Sequence, residues 1–266
     1  MKIKMYQIDA FTDTLFKGNP AAVCQLDQWL EDSLLQNIAQ ENNLSETAFY
    51  APNKDSYQLR WFTPTHEVDL CGHATLATAH VLFFEHQLAC DSITFETKIG
   101  PLYVSKSQNQ LTMELPAYDL QRCPTMPELL IEGLTRKPKE LWAGEDYVAI
   151  FENEDEIRQI RPNYHLLRQL DRRGVAITAK AKHVDIISRF FAPKIGINED
   201  PVTGSLHCAL LPLWKKKLGK SQFTAVQASQ RGGKLCGEIK NNRVFLTGNT
   251  KKYMEAELHL EAIRSE

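Results

Sequence analysis

The sequence contains one pattern twice, about half a chain length apart. The first copy is Arg60-Trp61-Phe62-Thr63-Pro64, followed by Asp69-Leu70-Cys71-Gly72-His73. The second is Arg189-Phe190-Phe191-Ala192-Pro193, followed by Asp200-Pro201-Val202-Thr203-Gly204-Ser205. The two arginines are 129 residues apart in a chain of 266. An internal repeat of this kind indicates similar structural units. Each copy predicts a strand, a proline stop, a polar loop with one glycine and an apolar helix.

The repeat and the proline distribution together predict two domains. Each half is close to 130 residues long, which is an ordinary domain size. Prolines cluster between Pro116 and Pro138, so we place the boundary there, with domains at 1–117 and 118–266. We expect two pseudo-symmetric α+β domains whose glycine loops face one cleft.

Two apolar segments predict the central helices of these domains. The segment from Gly72 to Glu85 is apolar almost all round, which is typical of a buried helix, and it is too short to span a bilayer. We therefore expect strands to wrap around it. The corresponding helix in the second half is predicted from Ser205 to Leu218, and a further helix is predicted from Asp27 to Asn42.

Composition and charge exclude several classes of function. The formal net charge is −2, so no overall field would attract nucleic acid or an anionic membrane. No apolar run is long enough for a membrane span, and the N-terminus alternates like a strand instead of resembling a signal peptide. The six cysteines have no zinc-ligand spacing, so no metal site is predicted. Reduced thiols and a cytoplasmic location are expected.

The two glycine loops are candidate substrate-binding elements. The first N–H groups of a helix have no partner within it and, with the helix dipole, can bind an anion such as a carboxylate. Gly72 and Gly204 allow a ligand to approach the backbone closely. Each glycine could also serve only a tight strand-to-helix turn, but two of them at repeat-related positions, followed by His73 and Ser205, favour a functional cleft.

Two carboxylates are candidate reactive or orienting groups. Glu46 stands at the mouth of a predicted strand, and its repeat position holds Val175, so this carboxylate exists in one half only. We predict that it is a general acid/base. Asp200 could be a turn residue or a carboxylate that accepts a hydrogen bond from substrate. His207 is predicted to be structural.

Several motifs together resemble the PhzF family of phenazine-biosynthesis-like isomerases. They extend through nearly the whole chain: Asp9-Ala10-Phe11-Thr12, Gly18-Asn19-Pro20-Ala21-Ala22-Val23, Asn43-Leu44-Ser45-Glu46-Thr47, both copies of the repeat, and Ser229-Gln230-Arg231-Gly232-Gly233. The last departs from the family's Ser-Arg-Gly-Gly by one inserted glutamine.

The resemblance implies a diaminopimelate-epimerase-like fold, with two pseudo-symmetric domains that each curl a mostly antiparallel sheet or barrel around a central helix. It also implies a small carboxylate-bearing metabolite in the interdomain cleft, no metal, no organic cofactor and often a homodimer. Glu46 would move a proton between substrate carbons. Gly72, His73, Asp200, Gly204 and Ser205 would bind the substrate.

Three alternatives remain at this point. A two-base amino-acid racemase or epimerase would use a cysteine in each glycine loop; Cys71 fits the first position, but Thr203 stands at the second. A binding protein could keep the cleft without the chemistry. A serine hydrolase built on Ser205 lacks the Gly-x-Ser-x-Gly motif. The reading that the sequence favours is a cofactor-independent isomerase that shifts a proton, or a double bond with it, next to a carboxylate.

Overall fold

Strands outnumber helices in the computed structural model, which describes residues 1–260. The strands within that range are β1 (Lys2–Ala10), β2 (Asn19–Gln25), β3 (Glu46–Asn53), β4 (Ser56–Phe62), β5 (Glu67–Val68), β6 (Ser92–Thr97), β7 (Gly100–Ser107), β8 (Gln110–Pro116), β9 (Gln121–Arg122), β10 (Glu140–Ala143), β11 (Tyr147–Ile150), β12 (Val175–Lys180), β13 (Ile186–Ala192), β14 (Ile197–Asp200), β15 (Gln222–Gln227), β16 (Gly233–Lys240) and β17 (Arg243–His259). The α-helices are α1 (Asp32–Asn42), α2 (Gly72–His80), α3 (Glu128–Leu134), α4 (Glu154–Gln159), α5 (Tyr164–Leu167) and α6 (Gly204–Leu218). A π-helical turn, Val81–Glu85, follows α2 directly. No helix in this range is long and apolar enough to cross a bilayer.

The chain divides into two units. The first comprises Met1–Glu114 together with residues 247–260, and the second comprises Leu115–Leu246. The predicted division at 117/118 places the C-terminal strand in the second half, whereas the structure groups it with the first. The reason is strand pairing, because β1 pairs antiparallel with β2 on one side and with β17 on the other.

A ring of mixed strand pairings forms the first unit. From β1 the order continues through β2, β3, β4, β6, β7 and β8, and β8 pairs with β17, which returns to β1. The β2–β3 and β4–β6 pairs are parallel, whereas β1–β2, β1–β17, β3–β4, β6–β7 and β7–β8 are antiparallel. The apolar residues of α1 pack on the β1–β3 part of this sheet around Leu35 and Phe49.

The central helix of the first unit is buried, as its all-round apolar sequence predicts. All nine residues of α2 are buried, and α2 contacts β1, β2 and β3. A fully buried helix cannot present a polar face to water, so its few polar side chains must find partners inside the unit. Thr75 and Thr78 do so by donating hydrogen bonds to carbonyls four residues earlier, those of Cys71 and Ala74.

The second unit repeats this strand pattern. There β11–β12 and β13–β15 are the parallel pairs, while β10–β11, β12–β13 and β15–β16 are antiparallel. In the order of elements along the chain, helix α6 lies between β14 and β15, just as α2 lies between β5 and β6. Its Trp214 donates a hydrogen bond from Nε1 to Thr178 on β12 (3.1 Å). The duplication seen in the sequence is therefore also a duplication of strand order and direction.

Three local predictions differ from the structure. The helix predicted from Asp27 begins only at Asp32, since Glu31 has the non-helical angles φ −58° and ψ 137°. The predicted proline-rich boundary contains helix α3, whose Leu130 and Leu134 are fully buried. The helix predicted from Gly72 to Glu85 is α-helical only to His80 and continues as the π-helical turn Val81–Glu85.

Candidate active site

Glu46 is the first residue of β3, in parallel register with Ala21 of β2. Two local features fix the backbone on either side of Glu46. Helix α1 ends at Asn43 in the left-handed conformation (φ 48°), and Asn42 donates a side-chain hydrogen bond to the Thr47 hydroxyl (3.0 Å). The side chain of Glu46 is only 12% exposed. The side chain is therefore largely enclosed by the protein at the mouth of the strand.

His73 meets Glu46 at the start of α2. The Nε2 atom of His73 lies 3.1 Å from Oε2 of Glu46, and the His73 side chain is 6% exposed. On the other edge of the ring, Nδ1 lies 3.2 Å from Nδ2 of Asn19 and 3.5 Å from Sγ of Cys71. Asn19 begins β2 and is fully buried. The imidazole is thus held between a carboxylate on one side and an amide and a thiol on the other.

The charges of this cluster depend on burial and on close neighbours. Burial raises the pKa of the Cys71 thiol to about 11, and the Glu46 carboxylate adds to the effect. Burial alone would lower the pKa of His73, but the neighbouring Cys71 and Glu46 groups outweigh it and raise that pKa well above its ordinary value. At neutral pH the thiol is therefore protonated, and His73 favours its cationic form beside the carboxylate.

A second set of predicted residues lies at the start of α6. Asp200 ends β14 and is 8% exposed. Its Oδ2 accepts a short hydrogen bond from the Thr203 hydroxyl. Gln227, fully buried at the end of β15, donates from Nε2 to the Asp200 carbonyl (2.8 Å) and accepts at Oε1 from the Thr203 N–H (2.9 Å). The loop from Asp200 to Thr203 is thereby fixed at both ends by one side chain.

The residues that follow this loop differ in role. Gly204 is buried as the first residue of α6, and Ser205 is half-buried. His207 is fully buried, and its Nδ1 lies 2.8 Å from the Thr203 carbonyl. Burial lowers the pKa of His207 to about 4, so the ring is neutral and Nδ1 donates this hydrogen bond. His207 has the structural role that the sequence predicts.

Both central helices begin without a side-chain cap. Cys71 precedes α2 and Thr203 precedes α6, each in an extended conformation, and within the described residues neither side chain accepts a capping hydrogen bond. The first backbone N–H groups of each helix are therefore not occupied by the usual N-cap oxygen. Such N–H groups are suited to bind an anionic ligand.

The structure places the predicted site residues in two groups. Glu46, Gly72 and His73 lie together in the first unit, and Asp200, Gly204 and Ser205 lie together in the second. Sequence reasoning missed the roles of Asn19 and Gln227. Asn19 stands in a quoted motif but resembles a turn residue beside Gly18 and Pro20, and Gln227 lies in an ordinary strand pattern.

A surface groove of about 490 Å³ lies elsewhere in the first unit. It is lined by Trp29, Gln58, Leu59, Arg60, Glu67, Glu96, Thr97 and Lys98. None of the predicted site residues lines it. Its charged groups already have partners. Arg60 binds Glu67 and Asp32, Lys98 binds Asp69, and Glu96 accepts hydrogen bonds from the side chains of Asn53 and Ser56. The candidate site is therefore the Glu46–His73 pair, where an acid/base group meets an imidazole, and not this groove.

Comparison with known proteins identifies the family to which the chain belongs. Residues 8–256 match the PhzC-PhzF family of phenazine biosynthesis-like proteins. The chain is 45% identical to an uncharacterized isomerase of Pseudomonas aeruginosa, with 98% of this chain and all of that protein covered. It is 46% identical to an uncharacterized isomerase of Halalkalibacterium halodurans over 98% of this chain and all of that one.

Solved structures show the same likeness. A PhzF family protein from Enterococcus faecalis has a TM-score of 0.95 at 44% identity, with 98% of this chain and all of that chain covered. A hydroxyproline epimerase from Agrobacterium vitis has a TM-score of 0.63 at 10% identity, covering 98% of this chain and 92% of that one, a likeness of fold alone. By sequence and by structure, over nearly its whole length, the chain belongs to the PhzC-PhzF family of phenazine biosynthesis-like proteins.

Proposed function

We propose that the protein is a cofactor-independent isomerase that moves a proton between carbons next to a carboxylate in a small metabolite, with Glu46 as general acid/base. The isomerase class itself follows from full-length likeness to relatives that carry this name. The observation that carries the finer proposal is the buried contact of Glu46 Oε2 with His73 Nε2 at 3.1 Å.

The proposed chemistry needs one mobile proton and no net oxidation. Glu46 takes a proton from a substrate carbon, the C–H electron pair moves into the neighbouring π system, and the same proton is returned to another carbon. A positioned acid/base of this kind typically contributes about 10²–10⁴-fold to a rate. The cationic His73 ring beside it would stabilise negative charge that develops on the substrate.

Substrate binding is proposed for the two loops. The N–H groups at Gly72 and at Gly204 would bind carboxylate oxygens, because the helix dipole and the uncapped first turns favour an anion there. Asp200 and Ser205 would orient polar groups of the substrate by hydrogen bonds. Ser205 is the better residue to test, since Asp200 also holds its own loop through Thr203. We expect Ser205→Ala to raise KM with a smaller effect on kcat.

One observation speaks against the two-base racemase alternative. The first helix is preceded by Cys71, a thiol whose pKa burial raises to about 11, and the second is preceded by Thr203, which is not a thiol. A racemase of this type needs a base on each face of the carbon. A threonine hydroxyl bound to a carboxylate is a poor substitute for a thiolate.

Deuterium exchange tests the proposal. The protein is incubated in D2O with a panel of small carboxylates that carry an acidic C–H, and exchange is followed by proton NMR. We expect exchange with at least one compound, and we expect Glu46→Gln to reduce it by about 10²-fold or more. The matched control is Glu41→Gln on the exposed face of α1. Binding of a panel member without any exchange would replace the isomerase by a binding protein.

A further inference from the structure

Three different donor atoms converge at the mouth of β3. One oxygen of Glu46, one ring nitrogen of His73 and the sulfur of Cys71 all lie within 4.8 Å of one another. Sequence spacing gives no hint of this cluster, because Glu46 comes from a strand and the other two residues come from the start of α2. Both residues at the start of α2 are nearly inaccessible, with whole-residue exposures of 6% for Cys71 and 5% for His73.

The Glu46–His73 contact leaves both atoms unsatisfied. Although Oε2 and Nε2 are 3.1 Å apart, neither is in a hydrogen bond of acceptable geometry within the described residues. Buried polar atoms usually have an aligned partner. Two such atoms, close together but not aligned on each other, could both contact a third atom once Nε2 has lost its proton.

The donor set suits a borderline-soft divalent cation. Zn²⁺ takes imidazole nitrogen, thiolate sulfur and carboxylate oxygen at about 2.0–2.3 Å and prefers four ligands in a tetrahedron. Those bond lengths place ligand atoms about 3.3–3.8 Å apart. The Glu46 Oε2–His73 Nε2 distance of 3.1 Å is close to this spacing, whereas the 3.5 Å contact of Cys71 Sγ is with the other ring nitrogen, Nδ1. Since an ion binds only one nitrogen of the ring, the three donor atoms, which lie up to 4.8 Å apart, would need to contract by about 1 Å.

We propose that Glu46, Cys71 and His73 form a binding site for Zn²⁺, and that the bound ion blocks the proton transfer assigned to Glu46. On binding, the Cys71 thiol and the cationic His73 ring each lose one proton to solvent, so the sulfur binds as a thiolate and the ring binds in its neutral form. One thiolate and one carboxylate then balance the two charges of the ion, so no net charge remains in the buried site. The ion and both ligands keep their oxidation states.

The ion is an inhibitor in this proposal. A carboxylate oxygen that is bound to the cation has no free lone pair for a substrate proton. The fourth ligand position would hold water, as in zinc sites with three protein ligands. The inhibitory half of the proposal rests on the proposed function, whereas binding of the ion does not.

Cobalt is the probe for binding. Co²⁺ is added to the full chain under anaerobic conditions, and the absorption spectrum is followed for the sulfur-to-cobalt charge-transfer band and the strong visible bands of a tetrahedral ion. We expect both in the wild-type protein and their loss when Zn²⁺ is added. Cys71→Ser should abolish the charge-transfer band, and Glu46→Gln should weaken Co²⁺ binding by on the order of 10–100-fold.

Two thiol variants serve as controls. Cys208 is buried but lies in the second unit, and Cys90 is exposed; Cys208→Ser and Cys90→Ser should keep the spectrum. Circular dichroism verifies that each variant is folded, and Cys71→Ala is the second variant should Cys71→Ser fail this check. Absence of the charge-transfer band in the wild type, or its survival in a folded Cys71 variant, would overturn the site.

Activity separates the two halves of the proposal. Where C–H exchange is found, stoichiometric Zn²⁺ should stop it and a chelator should restore it. Exchange that continues with the cobalt site filled would overturn the inhibitory half. A cobalt spectrum without exchange in any condition would overturn the isomerase and leave the metal site standing, because the spectrum needs no substrate.

Discussion

Thr203 stands at the start of α6 where Cys71 stands at the start of α2. Both are extended, with φ −109° and ψ 104° for Thr203 and φ −141° and ψ 104° for Cys71. Four residues later, His207 bonds to the Thr203 carbonyl as Thr75 bonds to that of Cys71 (2.8 and 2.7 Å). The backbone of the two loops is thus duplicated, while the side chains that would perform chemistry are not.

This asymmetry predicts a modest effect of Cys71→Ser on C–H exchange. The thiol, with a pKa raised to about 11, is protonated at neutral pH and is not the proposed base. We therefore expect exchange to fall by no more than about tenfold, far less than for Glu46→Gln. The same D2O assay measures both. Equal losses in the two variants would instead favour a thiol base.

Gln227→Leu should destabilise the second unit. The substitution removes the partners of the Thr203 N–H and the Asp200 carbonyl, and a buried polar group left unsatisfied costs about 1–3 kcal/mol. We expect the free energy of unfolding, measured with urea, to fall by about 2–4 kcal/mol.

The control for this variant is Gln222→Leu at the exposed start of the same strand. The side chain of Gln222 donates one exposed hydrogen bond to Glu238 (3.0 Å). Its substitution should change the free energy of unfolding by no more than about 0.5 kcal/mol. A Gln227→Leu protein as stable as this control would show that the loop is held by other contacts.

The repeated arginines should differ in their contributions to stability. Each forms a two-point ion pair with a glutamate, Arg60 with Glu67 and Arg189 with Glu199. The side chain of Arg60 is 24% exposed and that of Arg189 is 9% exposed. Arg189 also donates to the carbonyls of Ile157 and Ile160.

Substitution by methionine keeps the apolar stem and removes the charge. We expect Arg189→Met to lower the free energy of unfolding by about 3–5 kcal/mol, since it leaves a buried carboxylate unpaired. Arg60→Met should cost only about 1–2 kcal/mol. Urea unfolding measures both. Equal losses would mean that burial does not distinguish the two copies.

His207 should contribute to acid sensitivity. Its pKa in the folded protein is about 4, below the ordinary 6.5, so the unfolded chain binds a proton that the folded protein does not. Stability therefore falls as the pH decreases from about 6.5 to about 4, by on the order of 3 kcal/mol at most. The variant His207→Gln keeps a side-chain N–H for the Thr203 carbonyl and should be less sensitive to acid over this range.

The measurement is the urea midpoint at several pH values between 4 and 7. His80 also has a pKa lowered to about 4, mainly by burial, but it is present in both proteins and cancels in the comparison. The exposed His165→Gln is the control and should follow the wild type. Parallel curves for His207→Gln and wild type would contradict the assignment.

The sequence predicts those parts of the molecule that depend on local patterns. The duplication, the buried helix that begins at Gly72 and the position of Glu46 at the start of a strand all follow from residue periodicity and glycine or proline placement. The contacts of Asn19 with His73 and of Gln227 with Thr203 do not. They join residues 54 and 24 positions apart, and no local pattern distinguishes a buried amide from an exposed one.

The place of the last strand was also not predictable from local patterns. The amino-acid sequence of Arg243–His259 is compatible with a strand, but it does not say which sheet that strand joins. Pairing of β17 with β1 is decided by the free edge of β1, whose partner lies some 250 residues away in the chain, from Lys2 to His259.

That same pairing has a consequence for synthesis on the ribosome. Because β17 supplies one side of the ring around α2, the first unit cannot close when its own first 114 residues emerge. It must wait until β17 itself has been translated, while the intervening Leu115–Leu246 segment is contiguous and has no such delay. The half of the molecule that is made first is therefore the half that finishes folding last.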